Sequence, residues 1–343
     1  MSKVIIGTGS DLPERLVTND DLEATVDDYD RMRSGSSLHD WVMKRTGVAL
    51  RHRVAEGEGT SDMAVRAARR ALDDAGVAPE ELDLIVCSTF TSDYRLPSTT
   101  SLVQAQLKTR AKCFQLEAAC AGFIDGMITA GALLDALGGR TALVIHTEAV
   151  SALMDPRRFL EQTIFGDGAG AVVIREVPGS PFGVKAQCTY TDGSIAHWTW
   201  VPGGGTKAPI TEQVLADRSQ YLRMQSKDIY RLAVTKFAEM SREVVALAGC
   251  TLDDVAWFIP HQTGLNIIED AAKLLGVGME RFQICIDHTG NASGATIPIA
   301  LDEANRRGDL LPDQKLVMPT VGGGMAWGAL LVVWADTRAT AES

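Results

Sequence analysis

Short apolar runs alternate along this chain with longer stretches whose apolar residues recur at helical spacing. The runs are rich in Val, Ile and Leu and predict strands over residues 3–10, 82–90, 140–150 and 167–177. Between them, apolar positions three and four residues apart predict a helix over residues 60–77. Because strands alternate with helices, the pattern predicts parallel sheets that are covered by helices.

The helix predicted over residues 60–77 has recognisable ends. Thr60 or Ser61 is the predicted N-cap, since a hydroxyl can accept a hydrogen bond from the free N–H groups of the first turn. Gly76 is the predicted end, since glycine readily enters the left-handed conformation that closes many helices. We expect this segment to form one amphipathic helix.

The second half of the chain repeats this order of elements. Helices are predicted over residues 227–249, 266–277 and 297–308, and strands over residues 255–264, 282–287, 315–321 and 327–336. Each half has an apolar strand that ends in a polar loop and a helix that starts in a cluster of small residues. We therefore expect a duplicated α/β unit, divided into residues 1–178 and 179–343. The polar stretch 27–40 is the expected mobile surface insertion.

Composition and charge narrow the classes of protein. The chain has 343 residues, 45% apolar content and a net charge of -11, which suits a large core and argues against general nucleic-acid binding. Six cysteines lie scattered without a C-x-x-C pair, which is typical of a reduced intracellular protein. We find no signal peptide and no apolar run of membrane-spanning length, so we expect a soluble, cytoplasmic protein without a membrane partner.

One cysteine stands out by its surroundings, in the stretch FQLEAACAGFIDG. Cys120 lies among small residues, just before an apolar helical pattern begins. At a helix N-terminus the macrodipole stabilises a thiolate, and free backbone N–H groups point at whatever is bonded to the sulfur. The alternative is a small buried cysteine without a chemical role, and this segment alone leaves both interpretations open.

Three further features could complete a site around a thiol. His261 lies where an apolar strand ends, Asn291 lies in HTGNASGAT, and a glycine run occupies residues 321–328. Residues at strand ends face the crevice in which α/β sheets bind ligands. Taken singly, each has an ordinary explanation as a structural histidine, a turn asparagine or a tight turn. Together they offer a thiolate, an imidazole, an amide donor and backbone N–H groups.

Two chemistries fit a cysteine, a histidine and an asparagine in this order. A papain-like thiol protease has the same chain order and a comparable spacing. However, the C-G-[SA]-C-[WY] signature is missing and Cys120 stands far from the N-terminus. The second chemistry is acyl transfer followed by carbon–carbon bond formation, and a wider resemblance favours it.

The sequence resembles the β-ketoacyl-acyl-carrier-protein synthase III family of the thiolase superfamily, the initiating condensing enzymes of fatty-acid synthesis. The matching segments occur in the family's order: IIGTGSDLPERLVTNDDL, RTGVALRHRV, AACAGF, IFGDGAGA, PHQ, HTGNASGATIPIALDEA and GGGMAWG. The resemblance runs nearly from end to end. It implies a five-layered αβαβα fold built from two duplicated halves, and a homodimer.

The resemblance implies a role for each catalytic position. Cys120 matches the nucleophile that accepts an acyl group from a thioester, and the N–H groups of Cys120 and Gly323 match the oxyanion hole. His261 and Asn291 match the pair that binds the thioester carbonyl of malonyl-acyl carrier protein while CO2 leaves. An amide at this position favours condensation, since a carboxylate would repel the enolate. No metal or redox cofactor is implied, and coenzyme A enters only as the thioester substrate.

Other positions match the acyl pocket of the family. Phe165, Leu222 and Met224 match residues that line it, and Leu96 matches the residue that a partner subunit inserts across it. Family members often have aromatic residues at the positions of Leu96 and Val321. The smaller residues here imply room for an acyl chain longer than acetyl.

Positions near the expected entrance match less uniformly. Trp41 and Arg45 match a tryptophan that stacks on the adenine of coenzyme A and an arginine near its phosphates. Arg231 matches a basic position that docks the carrier protein. Phe159 stands where many members have a coenzyme-binding arginine, and Glu117 is unusual so close to the nucleophile. These departures leave the acyl donor and the carrier open.

We therefore predict an acyltransferase that condenses an acyl thioester, on coenzyme A or a carrier protein, with malonyl-acyl carrier protein to give the 3-oxoacyl product. It would serve fatty-acid initiation or a specialised metabolic pathway. One alternative is a non-decarboxylating acyltransferase or thioester hydrolase of the same fold. A catalytically silent partner subunit is disfavoured, because Cys120, His261, Asn291 and the glycine run are all present.

Overall fold

The computed structural model describes residues 2–335, and its two main sheets use separate parts of the chain. The elements up to the end of the first sheet are β1 (Lys3–Asp11), β2 (Arg15–Thr18), α1 (Asn19–Glu23), α2 (Arg31–Ser34), α3 (Leu38–Arg45), β3 (Leu50–Arg53), α4 (Thr60–Ala75), β4 (Leu84–Ser88), α5 (Thr99–Leu107), β5 (Lys112–Leu116), α6 (Gly122–Leu137), β6 (Thr141–Glu148), α7 (Phe159–Ile164) and β7 (Gly168–Glu176). The elements that follow are β8 (Gly183–Thr191), β9 (Thr199–Trp200), α8 (Glu212–Ala216), β10 (Arg223–Met224), α9 (Ser226–Leu247), β11 (Val255–Phe258), α10 (Leu265–Leu275), α11 (Ile286–Thr289), α12 (Thr296–Arg307), β12 (Lys315–Gly322) and β13 (Ala326–Val333).

The two sheets have the same internal order. The first runs β1-β7-β6-β4-β5, and the second runs β8-β13-β12-β11 when read from the corresponding edge. Strands β4, β5 and β6 are mutually parallel, as are β11 and β12, while β7 and β13 run antiparallel to their neighbours. The prediction of parallel sheets is therefore right for β4, β5 and β6 and for β11 and β12, and wrong for β7 and β13. At β13 the direction reverses because a tight turn joins it directly to β12.

Three apolar cores separate five layers. Helices α6 and α12 pack between the two sheets and contribute Phe123, Ile124, Ile297 and Ile299 to the central core. Helix α4 packs on the outer face of the first sheet, and α9 and α10 pack on the outer face of the second. The five-layered αβαβα fold that the resemblance implied is confirmed.

Several predicted element boundaries need correction. Helix α4 does end at Gly76 (φ 61°), but its N-cap is Gly59, whose N–H donates to the Asp62 carboxylate at 2.8 Å. The strand predicted over residues 282–287 is reduced to one bridge between Phe282 and Phe258. Pairing stops there because the N–H of Cys285 donates to the side chain of Gln262 instead.

The stretch 27–40 is a surface segment with regular structure of its own. It contains α2, whose first N–H groups donate to the Asp30 carboxylate, and the beginning of α3, which Ser37 caps. The last residue of the strand predicted over 327–336 lies outside the described residues.

One helix meets the length and composition of a membrane span, contrary to the prediction that no such run exists. It covers Ala119–Leu137, which is α6 with the turn before it. Its apolar residues face the central core between the two sheets, where Phe123, Ile124, Ala130 and Leu134 are fully buried. We therefore interpret α6 as a core helix.

Candidate active site

Cys120 lies in a turn that we call the nucleophile turn, residues 118–122. Ala119 has a positive φ of 44°, which is unusual for a residue with a Cβ atom. A short 3-10 turn over Ala119–Ala121 then leads into α6 at Gly122. The thiol is thereby held beside the free N–H groups of a helix start.

Asn291 begins a second turn of the same build, which we call the amide turn, residues 291–296. Ser293 has a positive φ of 57°, and a 3-10 turn over Ser293–Ala295 leads into α12. The two turns meet face to face between the sheets, where the Ser293 hydroxyl lies 3.4 Å from the Cys120 sulfur. Residues far apart in sequence are brought together in this way.

A cavity of about 960 Å³ opens at the junction of the two turns. Ten residues that the sequence predicted for the site line it: Trp41, Arg45, Cys120, Phe165, Leu222, Met224, His261, Asn291, Val321 and Gly323. Two others lie elsewhere. Leu96 is 87% exposed on the loop before α5, and Arg231 is on the exposed side of α9, whereas Tyr230 and Ala233 of that helix face the cavity.

The thiol of Cys120 is protonated at rest. Burial raises its pKa to about 11, and the nearby charge of Glu148 acts in the same direction. Hydrogen bonds from Ser293 and from the backbone N–H groups of Gly323 and Cys120 oppose the rise in pKa. These donors surround the sulfur and lie where an oxyanion formed on an attached acyl group would be stabilised.

His261 is fully buried at the end of β11, and it is neutral. Burial, with a smaller contribution from nearby His146, lowers its pKa to about 3. Its Nδ1 lies 2.8 Å from the Thr296 hydroxyl, whose single hydrogen is donated to the carbonyl of Ser293 at 2.9 Å. Nδ1 must therefore carry the imidazole proton. Among the described residues Nε2 has no hydrogen-bond partner, so its lone pair is free to accept a proton.

Asn291 is oriented by its own turn. Its Oδ1 accepts the backbone N–H of Ser293 at 2.8 Å, which fixes the amide so that Nδ2 is the donor left for the cavity. Its backbone N–H donates to the carbonyl of Ile164 at 2.9 Å, and its carbonyl accepts from Gly166 at 3.2 Å. The segment that carries Phe165 therefore holds Asn291 in place.

A separate apolar cluster forms one side of the cavity. Val150, Met154, Phe165 and Leu222 are buried there, and Phe90, Leu153, Ile164, Val201 and Met224 pack against them. Val321 adds a small apolar wall from the end of β12. Because these side chains surround an open volume beside Cys120, the cluster can accommodate an apolar chain attached to the sulfur.

Another part of the cavity lining is centred on Trp41. The guanidinium of Arg45 lies 4.4 Å from the centre of the indole, and the ring of Phe159 meets it edge-on at 5.1 Å. Glu117 also lines the cavity, although it is exposed. A cavity lined by an aromatic surface, a cation and a thiol suits a ligand that has both a polar head and a reactive group.

Sequence reasoning missed the hydroxyl groups that arrange this site. Ser293 reaches the sulfur, Thr296 fixes the His261 tautomer, and the hydroxyl of Thr320 donates to the Cys120 carbonyl at 2.8 Å. Ser293 and Thr296 belong to the stretch GNASGAT, which was noted only for its small residues. Their hydroxyls, next to Asn291, were the available signal.

Comparisons with known proteins agree with this geometry. A family model described as 3-oxoacyl-[acyl-carrier-protein (ACP)] synthase III matches residues 114–193, and one described as the C-terminal part of the same synthase matches residues 245–334. The chain is 38% identical to a beta-ketoacyl-[acyl-carrier-protein] synthase III of Clostridium acetobutylicum over 96% of this chain and 98% of that protein.

Solved structures are similar along the whole chain. The crystal structure of the 3-oxoacyl-[acyl-carrier-protein] synthase III of Aquifex aeolicus gives a TM-score of 0.86 at 35% identity, and covers 97% of this chain and 100% of that one. The priming beta-ketosynthase of the R1128 polyketide pathway gives a TM-score of 0.86 at 30% identity, with 98% and 97% covered.

Proposed function

Because this chain belongs to the 3-oxoacyl-acyl-carrier-protein synthase III family of acyltransferases, we propose that it condenses an acyl thioester with malonyl-acyl carrier protein. The acyl group is first transferred to Cys120, and loss of CO2 from the malonyl group then forms the new carbon–carbon bond. The observation that carries the proposal is the meeting of Cys120, His261, Asn291 and Gly323 in one cavity.

The first step is acyl transfer to sulfur. The lone pair on His261 Nε2 accepts the proton of Cys120, and the sulfur attacks the thioester carbonyl. The N–H groups of Cys120 and Gly323 stabilise the oxyanion. When the oxyanion collapses, the bond to the departing sulfur breaks and that thiolate takes the proton back from His261.

The second step is decarboxylation and condensation. The malonyl C–C bond breaks, CO2 leaves, and the electron pair forms an enolate whose carbon attacks the acyl group on Cys120. The C–S bond then breaks and the Cys120 thiolate takes up one proton. Since neutral His261 carries its proton on Nδ1, Asn291 is the permanent donor to the enolate oxygen, and His261 joins it whenever Nε2 is protonated.

The shape of the cavity supports an acyl group longer than acetyl. The apolar cluster around Phe165 and Leu222 lies beside the sulfur, and Val321 leaves space there that an aromatic residue would fill. Trp41 and Arg45 would contact the head of a coenzyme A donor. Phe159 stands where many family members have a coenzyme-binding arginine, and it packs against Trp41. The proposal therefore also includes an acyl donor that is bound to a carrier protein.

The proposal keeps the division of the chain into two halves, residues 1–178 and 179–343. It also includes a homodimer. Strand β5 forms a free edge of the first sheet in the described chain, and Leu96 is exposed nearby, which supports pairing with a second copy. Arg231 is exposed on α9 beside the cavity-lining face, as a carrier-docking residue must be. The cytoplasmic location stays a prediction.

Substitution of Asn291→Asp tests the second step separately from the first. A carboxylate of the same shape repels the enolate, so malonyl-dependent CO2 release should fall by at least about 100-fold. Acylation of Cys120 does not use the amide and should continue. The measurements are CO2 release and the intact mass of the protein after it is offered acyl thioesters of two to ten carbons.

The outcomes separate the proposal from its alternative. Adducts with chains of six or more carbons on Cys120 support the predicted pocket, and strict use of acetyl contradicts it. Unchanged CO2 release in Asn291→Asp contradicts the role of Asn291. If the unaltered protein acylates Cys120 but releases no CO2 from malonyl-acyl carrier protein, it is a transferase or hydrolase of the same fold.

A further inference from the structure

A buried polar cluster lies directly beneath the nucleophile turn. Ser88 at the end of β4 and His146 on β6 are register partners across the parallel strands, and Glu148 follows two residues later on the same face. All three are at most 1% exposed. The proposed reaction uses none of them, although Ser88 and His146 lie against the first residue of α6.

The ring of His146 fills the space between the two functional turns. A Cβ atom added at Gly122 would lie 2.8 Å from its Cε1, and one added at Gly294 would lie 2.5 Å from Cε1 and 2.8 Å from the Cys120 carbonyl oxygen. His146 is therefore packed against both the nucleophile turn and the amide turn. Neither turn could carry a larger residue at these positions without moving the imidazole.

Glu148 is a carboxylate without access to water. It accepts hydrogen bonds from the N–H of Phe90 at 3.1 Å and from the hydroxyls of Thr89 and Thr91 at 3.1 and 2.6 Å. Within residues 2–335, His146 is the one basic side chain at ion-pair distance from it, with Nε2 3.2 Å from Oε1. The contact has the distance of an ion pair but not the direction of a hydrogen bond, since neither ring nitrogen makes one.

The duplicated half shows that packing alone does not require a histidine here. His146 and Thr320 occupy the same position, the sixth residue, in the corresponding strands β6 and β12. Thr320 is neutral, is fully buried and donates to the Cys120 carbonyl. The fold therefore fills this position with a small hydroxyl in one half, and with an imidazole only where a carboxylate lies beneath the thiol.

We propose that His146 is a positioning residue whose positive charge neutralises Glu148 beneath the nucleophile, so that Cys120 can form its thiolate. The inference rests on the proposed role of Cys120 as the nucleophile. His146 acts through Glu148 and not on the substrate. The ionisable groups whose charges meet at this cluster are Glu148 on the same strand, Cys87 on the neighbouring strand β4, Cys120 above it and His261 after β11.

The physical reason is the low dielectric of a dry site. An unpaired buried carboxylate opposes any second negative charge nearby, and a thiolate on Cys120 would be such a charge. When a cation is paired with the carboxylate, the repulsion between the carboxylate and the thiolate is largely cancelled. Since neither ring nitrogen makes a hydrogen bond, the contact with Glu148 is the closest polar interaction recorded for this imidazole.

A double-mutant cycle at His146 and Glu148 separates the effect of charge on Cys120 from the effect of side-chain shape. His146→Gln keeps a polar side chain of similar length but removes the cation, and Glu148→Gln keeps an acceptor for Phe90 while it removes the anion. The rate at which iodoacetamide modifies Cys120, followed by peptide mass from pH 6 to 10, reports thiolate and needs no acyl substrate or carrier.

We expect His146→Gln to slow modification about tenfold at pH 8, which corresponds to a shift of about one unit in the pH profile. Glu148→Gln should match or exceed the rate of the unaltered protein, and the double variant should return to within about twofold of it. Ser88→Ala, which alters the cluster without altering charge, is the matched control and should leave the profile in place.

Two results would overturn the inference. One is an unchanged profile in His146→Gln, and the other is a double variant as slow as His146→Gln, which would make the imidazole a spacer. Far-UV circular dichroism and the unfolding midpoint of each variant show that the comparison is made on folded protein. If the unaltered protein forms no acyl adduct on Cys120 when it is offered acyl thioesters, the proposed function fails and not the charge pairing.

Discussion

The nucleophile turn and the amide turn have similar backbone conformations but carry different side chains. Each places a residue with a Cβ atom at positive φ, Ala119 in one and Ser293 in the other, and each continues through a 3-10 turn into a central helix. In the first turn the next residue is Cys120. In the second it is Gly294, which has no side chain. One backbone design therefore presents a reactive group in one half and leaves room for it in the other.

The supporting residues differ in the same reciprocal way. The first residue of α6 is Gly122, which permits close contact with Ser88 and His146. The first residue of α12 is Thr296, whose hydroxyl holds His261. The two halves therefore contain two equivalent helix starts. The chemistry of each start depends on the side chains that it carries and on those that fit against it.

The largest effect should appear in the pH dependence of stability, between His261, which the amide turn holds through Thr296, and Cys120 of the nucleophile turn. His261 has a folded pKa of about 3 and an ordinary value of 6.5, so the unfolded chain binds a proton that the folded chain does not. Its contribution is complete above pH 6.5 and is lost as the pH falls towards 3, at roughly 1.4 kcal/mol per pH unit. Urea unfolding of the unaltered protein and of His261→Gln measures it as a difference in slope.

Cys120 should act at the opposite end of the pH scale. Its folded pKa of about 11 exceeds the ordinary 9.0, so folded protein retains a proton that the unfolded chain loses. Stability should therefore decline between pH 9 and 11, and Cys120→Ala should reduce the decline. Equal slopes in variant and unaltered protein, at either end, would contradict the assignment of these two groups as buried and neutral.

A smaller effect is expected when the close packing of the nucleophile turn is broken. Gly122→Ala adds a Cβ atom 1.9 Å from the Ser88 hydroxyl, and should lower the free energy of unfolding by about 2 kcal/mol although alanine is the better helix former. Thermal and urea unfolding measure this.

The matched control lies on the same helix. A Cβ atom at Gly131 would make only ordinary contact, 3.5 Å from Lys3 Cγ, so Gly131→Ala should be neutral or stabilising by up to about 1 kcal/mol. Combining Gly122→Ala with Ser88→Gly should recover part of the loss. A neutral Gly122→Ala variant would show that the turn can shift, which removes the contrast with the amide turn.

The smallest effect concerns the hydrogen bond from Ser293 to Cys120, which joins the two turns. Ser293→Ala removes the hydroxyl 3.4 Å from the sulfur. It places an alanine at positive φ, as Ala119 already is in the nucleophile turn. We expect modification of Cys120 by iodoacetamide to slow by less than tenfold, as for the loss of one hydrogen bond. A loss of more than 100-fold would mean that Ser293, and not the backbone N–H groups, is the main stabiliser of the thiolate.

The sequence predicted a site residue correctly where the residue type and the pattern of its neighbours both pointed to the same role. Cys120 before an apolar helix and His261 at a strand end were found in this way, and the structure places both in the cavity. The resemblance supplied the five layers, which alternation alone could not. The strand predicted over 282–287 failed because the competing acceptor, the side chain of Gln262, comes from a loop that local pattern does not reveal.

The positions that sequence reasoning missed act through contacts across the duplicated halves. Thr320 and His146 lie inside apolar strands, and nothing in their immediate sequence indicates that they meet the two functional turns. Arg231 and Leu96 lie outside the cavity of the single chain, so their expected roles depend on a carrier and a second copy. Local pattern identifies reactive residues more readily than the residues that position them.

The missing side chain at Gly294 limits how many acyl groups one chain can hold. A second acceptor opposite Cys120 has no volume available, because the ring of His146 and a carbonyl oxygen already fill it. Covalent loading should therefore saturate at one equivalent per polypeptide. In an assembly of several copies, a lower stoichiometry would report communication between subunits, since the amide turn of each copy leaves no room for a second acceptor beside Cys120.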